Sequence, residues 1–337
     1  MELEHRIAAF IQLGKYIRHL SKEEIEILTI RVENNNNWFT PAQTIFALNE
    51  ISGMLEESNL MDWLSNYPIP TETPAKSIGL LMAGNIPAVG FHDFLCILIS
   101  GHEVHAKLSS ADKILIPWLS EILISIQPFF SSKIFFQEML KGKEAYIATG
   151  SDNSSRYFNY YFGKFPHIIR KNRTSIAILD GLERGEDFQS LADDMFQYFG
   201  LGCRNVSKLY LKNRSQLQAL LDEIQGFHLP LSHHKYLNNY DYNKAIYLVN
   251  GEVHLDNGFL LVKESKDLVS PISVLFYEIY SDLEELTNKI NGDSAKIQCI
   301  VSKNGWFPNS VPFGQSQKPN LGDYADNVDT LEFLLSL

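Results

Sequence analysis

Apolar positions in the opening stretch recur at helical intervals: Leu3, Ile7, Phe10 and Ile17 share one face of a 3.6-residue repeat. Ser21 followed three residues later by Glu24 is a capping box that opens a second helix, and Thr40-Pro41 opens a third. Asparagines 34–37 form the polar loop between those two. The pattern predicts a helical segment over residues 1–66. Residues 67–76, YPIPTETPAK, carry three prolines, which neither a helix interior nor a central strand accommodates, and read as a linker.

From residue 77 the texture changes to short apolar runs alternating with helical stretches. A strand over 77–83, a helix over 87–100 and a strand over 103–108 form a βαβ unit. Residues 145–149 and 174–180 are further buried-strand candidates, each followed by a polar turn and a helical stretch, so a twisted, mostly parallel sheet is expected. Beyond Lys208 the runs 245–249, 253–255 and 259–263 are separated by Asn250-Gly251 and Asn257-Gly258, both hairpin signals. Strands at 273–281 and 295–302 flank a helix at 283–290, which gives a second α/β lobe with antiparallel trim.

The length of 337 residues is that of about two domains, and 45% hydrophobic with 20% charged residues is globular composition. A formal charge of −11, from 29 basic and 40 acidic residues, disfavours nonspecific attraction to nucleic acid or to an anionic membrane. The longest apolar stretch, near residues 94–100, is far short of the roughly 20 residues that span a bilayer. The acidic start, Met-Glu-Leu-Glu-His, does not read as a secretory leader, and three cysteines make an odd count. A reducing cytoplasm with free thiols is expected.

Three turns hold candidate chemistry. Gly84-Asn85-Ile86-Pro87 follows a buried strand and precedes a helix, where free amides favour an anionic or oxyanionic group; an ordinary βα turn has the same residues. The glycines 79, 84 and 90 do not match the Gly-x-Gly-x-x-Gly fingerprint. Thr149-Gly150-Ser151 repeats the geometry after the strand at 145–149, with Ser151 or Asp152 as a helix cap in the plainer reading. Cys203, in GLGCRNVSK (200–208), lies in a tight glycine loop after the amphipathic run 188–199, with Arg204 and Lys208 at hand to lower its pKa. Cys96 and Cys299 read as small core residues. His233-His234 has no partner at ligand spacing and no metal site is expected. The aromatic run at 157–165 reads as core and interface packing, and the charges at 183–187 as a solvated loop.

Taken in order on a two-lobed α/β chain, these turns resemble the aldehyde dehydrogenase superfamily. Within it the chain is similar to the acyl-CoA reductases of the LuxC type, which make fatty aldehydes in luminous bacteria. The strings that carry the likeness are LMAGNIPAVGFHDFLC (81–96), VHAKLSS (104–110), AYIATGSDNSSRYF (145–158), RTSIAILDG (173–181), GLGCRNVSK (200–208) and FGQSQKPNLGDYADNVDTLEFL (313–334). The likeness is good from about residue 77 to 210, extends through the second lobe and is weak over the first 66 residues.

The resemblance implies two Rossmann-like lobes: a nucleotide-binding lobe at 67–165 with the helical segment 1–66 packed on it, and a Cys-bearing catalytic lobe at 166–312. It further implies a C-terminal oligomerisation segment at 313–337, whose terminal strand extends a neighbour's sheet in a homo-oligomer, with 323–337 at the contact. Cys203 would be the nucleophile, and Asn85 would form the oxyanion hole with the Cys203 backbone amide. Gly84 and Thr149-Gly150-Ser151 would lie beside the cofactor, and Lys107 at its adenosine ribose. Ser110 stands three residues after Lys107, where NAD-preferring relatives often carry a glutamate. Lys107 with Ser109 and Ser110 would accept a 2′-phosphate, so NADPH is expected in preference to NAD.

One departure bears on the reaction. Aldehyde-oxidising relatives place a glutamate some 34 residues before the cysteine; here that neighbourhood is Pro166-His-Ile-Ile-Arg170, without a carboxylate. The base for thioester hydrolysis is missing, as suits a reductase of fatty acyl-CoA or another acyl thioester, and His167 is a candidate acid or partner for the leaving group. LuxC-type enzymes also work with an acyl-activating partner enzyme. Two alternatives stay open: a cysteine-dependent thioester hydrolase or acyltransferase using Cys203 with His167, and a non-catalytic binding subunit of the same fold.

Overall fold

The computed structural model describes residues 1–70, 74–150 and 152–337. The chain divides into two compact units, Met1–Asn172 together with Asn320–Leu337, and Arg173–Pro319.

The first unit opens with helices α1 (Leu3–Arg18), α2 (Lys22–Asn35), α3 (Pro41–Met54) and α4 (Glu57–Leu64). The capping box of α2 forms: the Ser21 side chain accepts from the Glu24 amide and Glu24 accepts from the Ser21 amide. There follow β1 (Ser77–Leu81), α5 (Phe91–Ile99), β2 (Glu103–Lys107), α6 (Leu115–Ile126), β3 (Ile134–Phe136), β4 (Ala145–Thr149), α7 (Asp152–Phe162) and β5 (His167–Arg170). The strands run parallel in the order β3-β2-β1-β4-β5. The order reverses between β1 and β4, so the crevice beyond their carboxyl ends is where such a sheet takes a ligand.

Helix α5 is buried on every side but His92, which explains its nearly unbroken apolar sequence. It shares one core with the sheet and with the amino-terminal helices, including Phe10, Leu13, Leu55 and Trp63. Helices α1 and α3 meet closely at Gly14, where a Cβ would lie 2.7 Å from that of Leu55. The helix begins at Phe91, later than its sequence suggests, because Ala88 takes a left-handed φ of 53° inside the turn that precedes it.

The second unit contains β6 (Thr174–Ile178), α8 (Gly185–Phe196), β7 (Val206–Leu211), α9 (Ser215–Glu223), α10 (His234–Val249), β8 (Leu255–Asp256), β9 (Leu261–Glu264), β10 (Val274–Ile279), α11 (Leu283–Gly292), β11 (Ile297–Ser302) and β12 (Val311–Pro312). Its sheet has the order β12-β11-β6-β7-β10-β9-β8, parallel apart from the β8–β9 hairpin at Asn257-Gly258. The strand expected at 245–249 is instead the last turn of α10. Tyr236, Tyr240, Asn243 and Tyr247 form a buried stripe at helical spacing, and it outweighs the β-propensity of Ile246, Val249 and their neighbours. Asn250 and Gly251, with φ of 65° at the glycine, end that helix and make no hairpin.

The tail also departs from expectation. The terminal strand expected within 313–337 is replaced by helix α12 (Thr330–Leu335), capped by Asp329 and folded onto α5 of its own chain. Leu331 and Leu334 are fully buried. Trp63 Nε1 donates to Tyr324 Oη at 2.9 Å, Tyr67 Oη donates to Asp329 at 2.6 Å, and His102 Nε2 meets the Leu334 carbonyl at 2.9 Å. Residues 320–337 thus fold within the first unit, with helix α12 where a strand was expected.

The division between units falls after Asn172, past the expected 165/166 boundary, because β5 is the fifth strand of the first sheet. Arg170 at the end of β5 is 3% exposed, and both its Nη atoms donate to the Asp93 carboxylate on α5. Its Nη2 also donates to Thr330 Oγ1 on α12 at 2.7 Å. No helix among the described residues is long and apolar enough to cross a membrane.

Removing one member of this buried pair strands the other. Arg170→Met is expected to cost about 3–5 kcal/mol, and Arg170→Met with Asp93→Leu to recover most of that loss, read as urea-unfolding midpoints.

Candidate functional site

In the first unit the candidate residues lie along the carboxyl edge of the parallel sheet. Register pairs Leu81 of β1 with Lys107 of β2 on one side and with Ala148 of β4 on the other. The turn 82–90, the turn 108–114 and Thr149-Gly150 therefore leave the sheet side by side. Gly84, Lys107, Ser109, Thr149 and Gly150 are half-buried, and Asn85 and Ser110 are exposed. Ser151 lies outside the described residues.

Two features fix these turns. A Cβ on Gly84 would lie 2.4 Å from Ser109 Oγ, so only glycine permits the first turn to close on the second. Asp112, buried in the second turn, accepts from the Ala88 amide of the first at 2.8 Å and from the Leu115 amide at 3.4 Å. Burial pushes the Asp112 carboxyl up, and the amides of Ala88, Leu115 and Ile114 oppose that shift. Ala88 holds its left-handed backbone in part through this bond. Asp112 thus ties the Asn85 turn to the Ser109-Ser110 turn.

His167 does not join this group. It opens β5 opposite Tyr146, whereas Thr149 pairs with Arg170 at the other end, three residues and about 10 Å along the strand. Its Nδ1 is 2.7 Å from the Phe165 carbonyl.

In the second unit Cys203 is exposed, while Cys96 and Cys299 are buried as expected. Burial pushes the Cys96 thiol up, which keeps it protonated and inert. The backbone approaching Cys203 is unusual: Tyr198, Phe199 and Gly200 take φ of 52°, 57° and 77°. For the two aromatic residues this costs about 1–2 kcal/mol each. Burial of Phe199, 4.4 Å from the His233 ring, and of Tyr198 offsets it.

Beyond the cysteine, Asn205 organises the loop. Its Oδ1 accepts from the Gly202 amide at 2.8 Å. Its Nδ2 donates to the carbonyls of Asp194, Met195 and Gln197 at 3.1, 3.4 and 2.8 Å, the carbonyls left over where α8 ends. The Cys203 carbonyl accepts from Ser175 Oγ at 3.0 Å. The thiol therefore sits at the amino ends of β6 and β7 on a backbone held from both sides.

Lys208 does not serve Cys203. It is fully buried, and its Nζ donates to Glu278 at 2.9 Å and to the Ser265 carbonyl at 3.0 Å, with the Tyr210 ring 4.9 Å away. Burial pulls its pKa down and Glu278 pulls it back. The expected solvated loop at 183–187 is likewise organised: Glu183 accepts from the amides of Asp180 and Gly181, and Asp187 pairs with Lys303 at 2.8 Å. Of the aromatic run, Phe162 stacks on Tyr146 at 4.2 Å, whereas Tyr157, Tyr160 and Tyr161 are exposed.

Asp194, next to the α8 terminus, accepts from the amides of Gly314 at 2.7 Å and Ser316 at 2.9 Å. The segment FGQSQ is thereby fastened to the helix whose carbonyls Asn205 holds. Among the described residues no three His, Cys, Asp or Glu side chains gather as a metal site.

This architecture matches solved structures over most of its length. Aldehyde dehydrogenase 21 from Physcomitrella patens, in complex with the reaction product succinate, superposes with a TM-score of 0.72 at 12% identity, over 100% of this chain and 84% of that one. The fold is that of the aldehyde dehydrogenases. Glyceraldehyde-3-phosphate dehydrogenase GapN from Methanocaldococcus jannaschii, complexed with NADP, gives a TM-score of 0.63 at 12% identity over 97% of this chain and 82% of that one. The PutA aldehyde dehydrogenase from Anabaena variabilis gives 0.60 at 13% identity over 89% and 78%. No family model and no curated protein matches the chain. The likeness to these structures is one of fold, at 12–13% identity.

Asn205→Ala, which leaves buried carbonyls without a donor, is expected to cost about 1–3 kcal/mol in urea unfolding. Asn205→Asp is expected to be worse, because a carboxylate would face the same carbonyls.

Asp194 supplies a pH dependence. Burial pushes its carboxyl up to about 6, against the opposing pull of the Gly314 and Ser316 donors. The native state keeps this proton to a higher pH than the unfolded chain, so stability falls as pH rises through that interval and the full cost stands above it. The advantage of wild type over Asp194→Asn is expected to be larger at pH about 4.5 than at about 7, by about 2 kcal/mol, read as urea midpoints at the two pH values.

Proposed function

We propose that the protein is a nicotinamide-dependent oxidoreductase that reduces an acyl thioester, such as a fatty acyl-CoA, to the aldehyde through an acyl-S-Cys203 intermediate. The observation that carries this reading is Cys203: an exposed thiol on a strained backbone fixed by Asn205, in a chain with the aldehyde-dehydrogenase fold.

The carboxyl edge of the first sheet fits a dinucleotide. Gly84 and Thr149-Gly150 flank the crevice between β1 and β4, and Lys107 ends the neighbouring strand. Ser109 and Ser110 stand where a carboxylate would repel a 2′-phosphate, which favours NADPH over NAD. GapN, of the same fold, was solved with NADP. When bound, the nicotinamide supplies the hydride.

The protein's own residues do the rest. The Cys203 thiolate attacks the thioester carbonyl and forms a new carbon–sulfur bond. The oxyanion accepts hydrogen bonds from the Cys203 amide and the Asn85 side chain. Its collapse expels the CoA thiolate and leaves the acyl group on sulfur. After reduction the thiohemiacetal alkoxide collapses to aldehyde, breaking the carbon–sulfur bond and regenerating the Cys203 thiolate. The strand His167–Arg170 offers no carboxylate to activate water, and its Arg170 is committed to Asp93, so the acyl-enzyme is spared hydrolysis.

NADPH oxidation is expected to depend on acyl-CoA, tested from acetyl to palmitoyl with the aldehyde trapped. Cys203→Ala is expected to abolish it and Asn85→Ala to lower kcat by about 10²–10³. Undiminished NADPH oxidation in Cys203→Ala would remove the basis of the proposal.

A further inference from the structure

The run of asparagines at 34–37 lies at the join of α2 and α3, and only its second half is loop: α2 runs through Asn35, and Asn36 follows it in extended backbone. Two of its side chains reach from the helical segment to the sheet. Asn35 Nδ2 donates to the Ala111 carbonyl at 3.1 Å, across 76 residues of sequence, and Asn36 Nδ2 donates to the same carbonyl at 3.3 Å. A carbonyl oxygen has two lone pairs and accommodates both donors.

Asn36 is itself fixed at its other end. Its Oδ1 accepts from the Trp38 amide at 3.1 Å, and its backbone carbonyl accepts from the Phe39 amide at 2.8 Å. Phe39 is buried, and Trp38 packs against the core that the amino-terminal helices share with the sheet. The acceptor end of the side-chain amide is thus committed to Trp38 and its donor end to Ala111. Asparagine supplies both on one short stem, whereas aspartate would set a carboxylate oxygen against the Ala111 carbonyl.

Ala111 belongs to the turn that follows β2. Within that turn the Asp112 amide donates to the Ser109 carbonyl and the Ala111 amide to Ser109 Oγ, both at 3.2 Å. On the far side Asp112 accepts from the Ala88 amide of the turn 82–90 at 2.8 Å. The turn is therefore held from two sides, by the asparagines and by the β1–α5 connection. Between these holds Ser110 is exposed, and Ser109 is half-buried against Gly84. Serine hydroxyls are neutral donors, and they bind a phosphate well where their backbone is ordered beforehand, because ordering it on binding would consume the gain.

We propose that Asn35 and Asn36 are positioning residues of the nicotinamide site: by fixing the Ala111 carbonyl they hold Ser109 and Ser110 in place for a 2′-phosphate, so that the amino-terminal helices take part in the choice of NADPH over NADH. This deepens the reading of the 109–110 turn as the 2′-phosphate site and rests on it.

Dissociation constants of the full chain for NADPH and NADH, followed by nicotinamide fluorescence, test it without turnover. Wild type is expected to bind NADPH at least tenfold more tightly than NADH. Because the carbonyl keeps one donor when the other is lost, Asn35→Ala is expected to weaken NADPH about threefold, and Asn35→Ala with Asn36→Ala at least tenfold. Asn35→Asp, which turns a donor into a repelling acceptor, is expected to match the double variant. NADH is expected to change less than about threefold throughout. A general loosening of the fold would weaken both nucleotides alike, so the ratio of the two constants separates positioning from stability. An unchanged ratio in the double variant and in Asn35→Asp would overturn the proposal and leave NADPH binding intact. Wild type that binds NADH as tightly as NADPH would overturn it together with the 2′-phosphate assignment, and wild type that binds neither would overturn it together with the nicotinamide reading. Where the double variant fails to fold, the ratio in Asn35→Asp decides.

Discussion

The pairing of Arg170 with Asp93 holds the first unit in its form. Two charges buried beneath a sheet are tolerable only when each has the other in good geometry. Here Thr330 supplies the additional hydroxyl, and the three residues belong to the last strand of the sheet, its central buried helix and the final helix of the chain. The pair and that hydroxyl thereby tie the fifth strand, α5 and the tail together. The turn 82–90 runs from β1 into α5, so the placement of Asn85 is set at one remove by the same ion pair.

Much of this was legible in the chain. The capping box at Ser21, the βαβ rhythm after residue 77 and the Asn257-Gly258 hairpin are local signals, and each forms as read. The failures are of two kinds. Residues 245–249 look like a strand by composition, but the tyrosines that bury α10 begin upstream of that window, at Tyr236. The tail carried its own helix signal: Asp329 caps the amide of Glu332 three residues on. The family likeness suggested a strand there, and the local capping chemistry described the chain better.

The candidate site divides in the same way. Turns at strand ends can be found from periodicity, and Gly84, Asn85, Lys107 and Thr149 all fall on the carboxyl edge where such turns belong. What positions them comes from residues distant in sequence or plain in type. Asp112 reaches back 24 residues to Ala88, and Asp194 reaches forward 120 to Gly314. Asn205 left one usable sign, an asparagine two residues past a cysteine in a glycine-rich loop, where its side chain accepts from the Gly202 amide three residues back. Its three carbonyl contacts, like the commitment of Lys208 to Glu278, depend on packing that no local pattern encodes.

The loop before Cys203 shows why that packing matters to chemistry. Bulky residues in left-handed conformations persist only where the surroundings overdetermine them. Tyr198 and Phe199 are held by their own burial, and the carbonyls at the end of α8 by Asn205. A backbone so constrained limits how far the loop that carries Cys203 can reorient. Preorganisation of that kind is what an oxyanion donor requires, since a donor that must reorganise as charge develops gives back part of its stabilisation. The strain upstream of the thiol is thus the local cost of a rigid cradle for the carbonyl that Cys203 attacks in the proposed reaction.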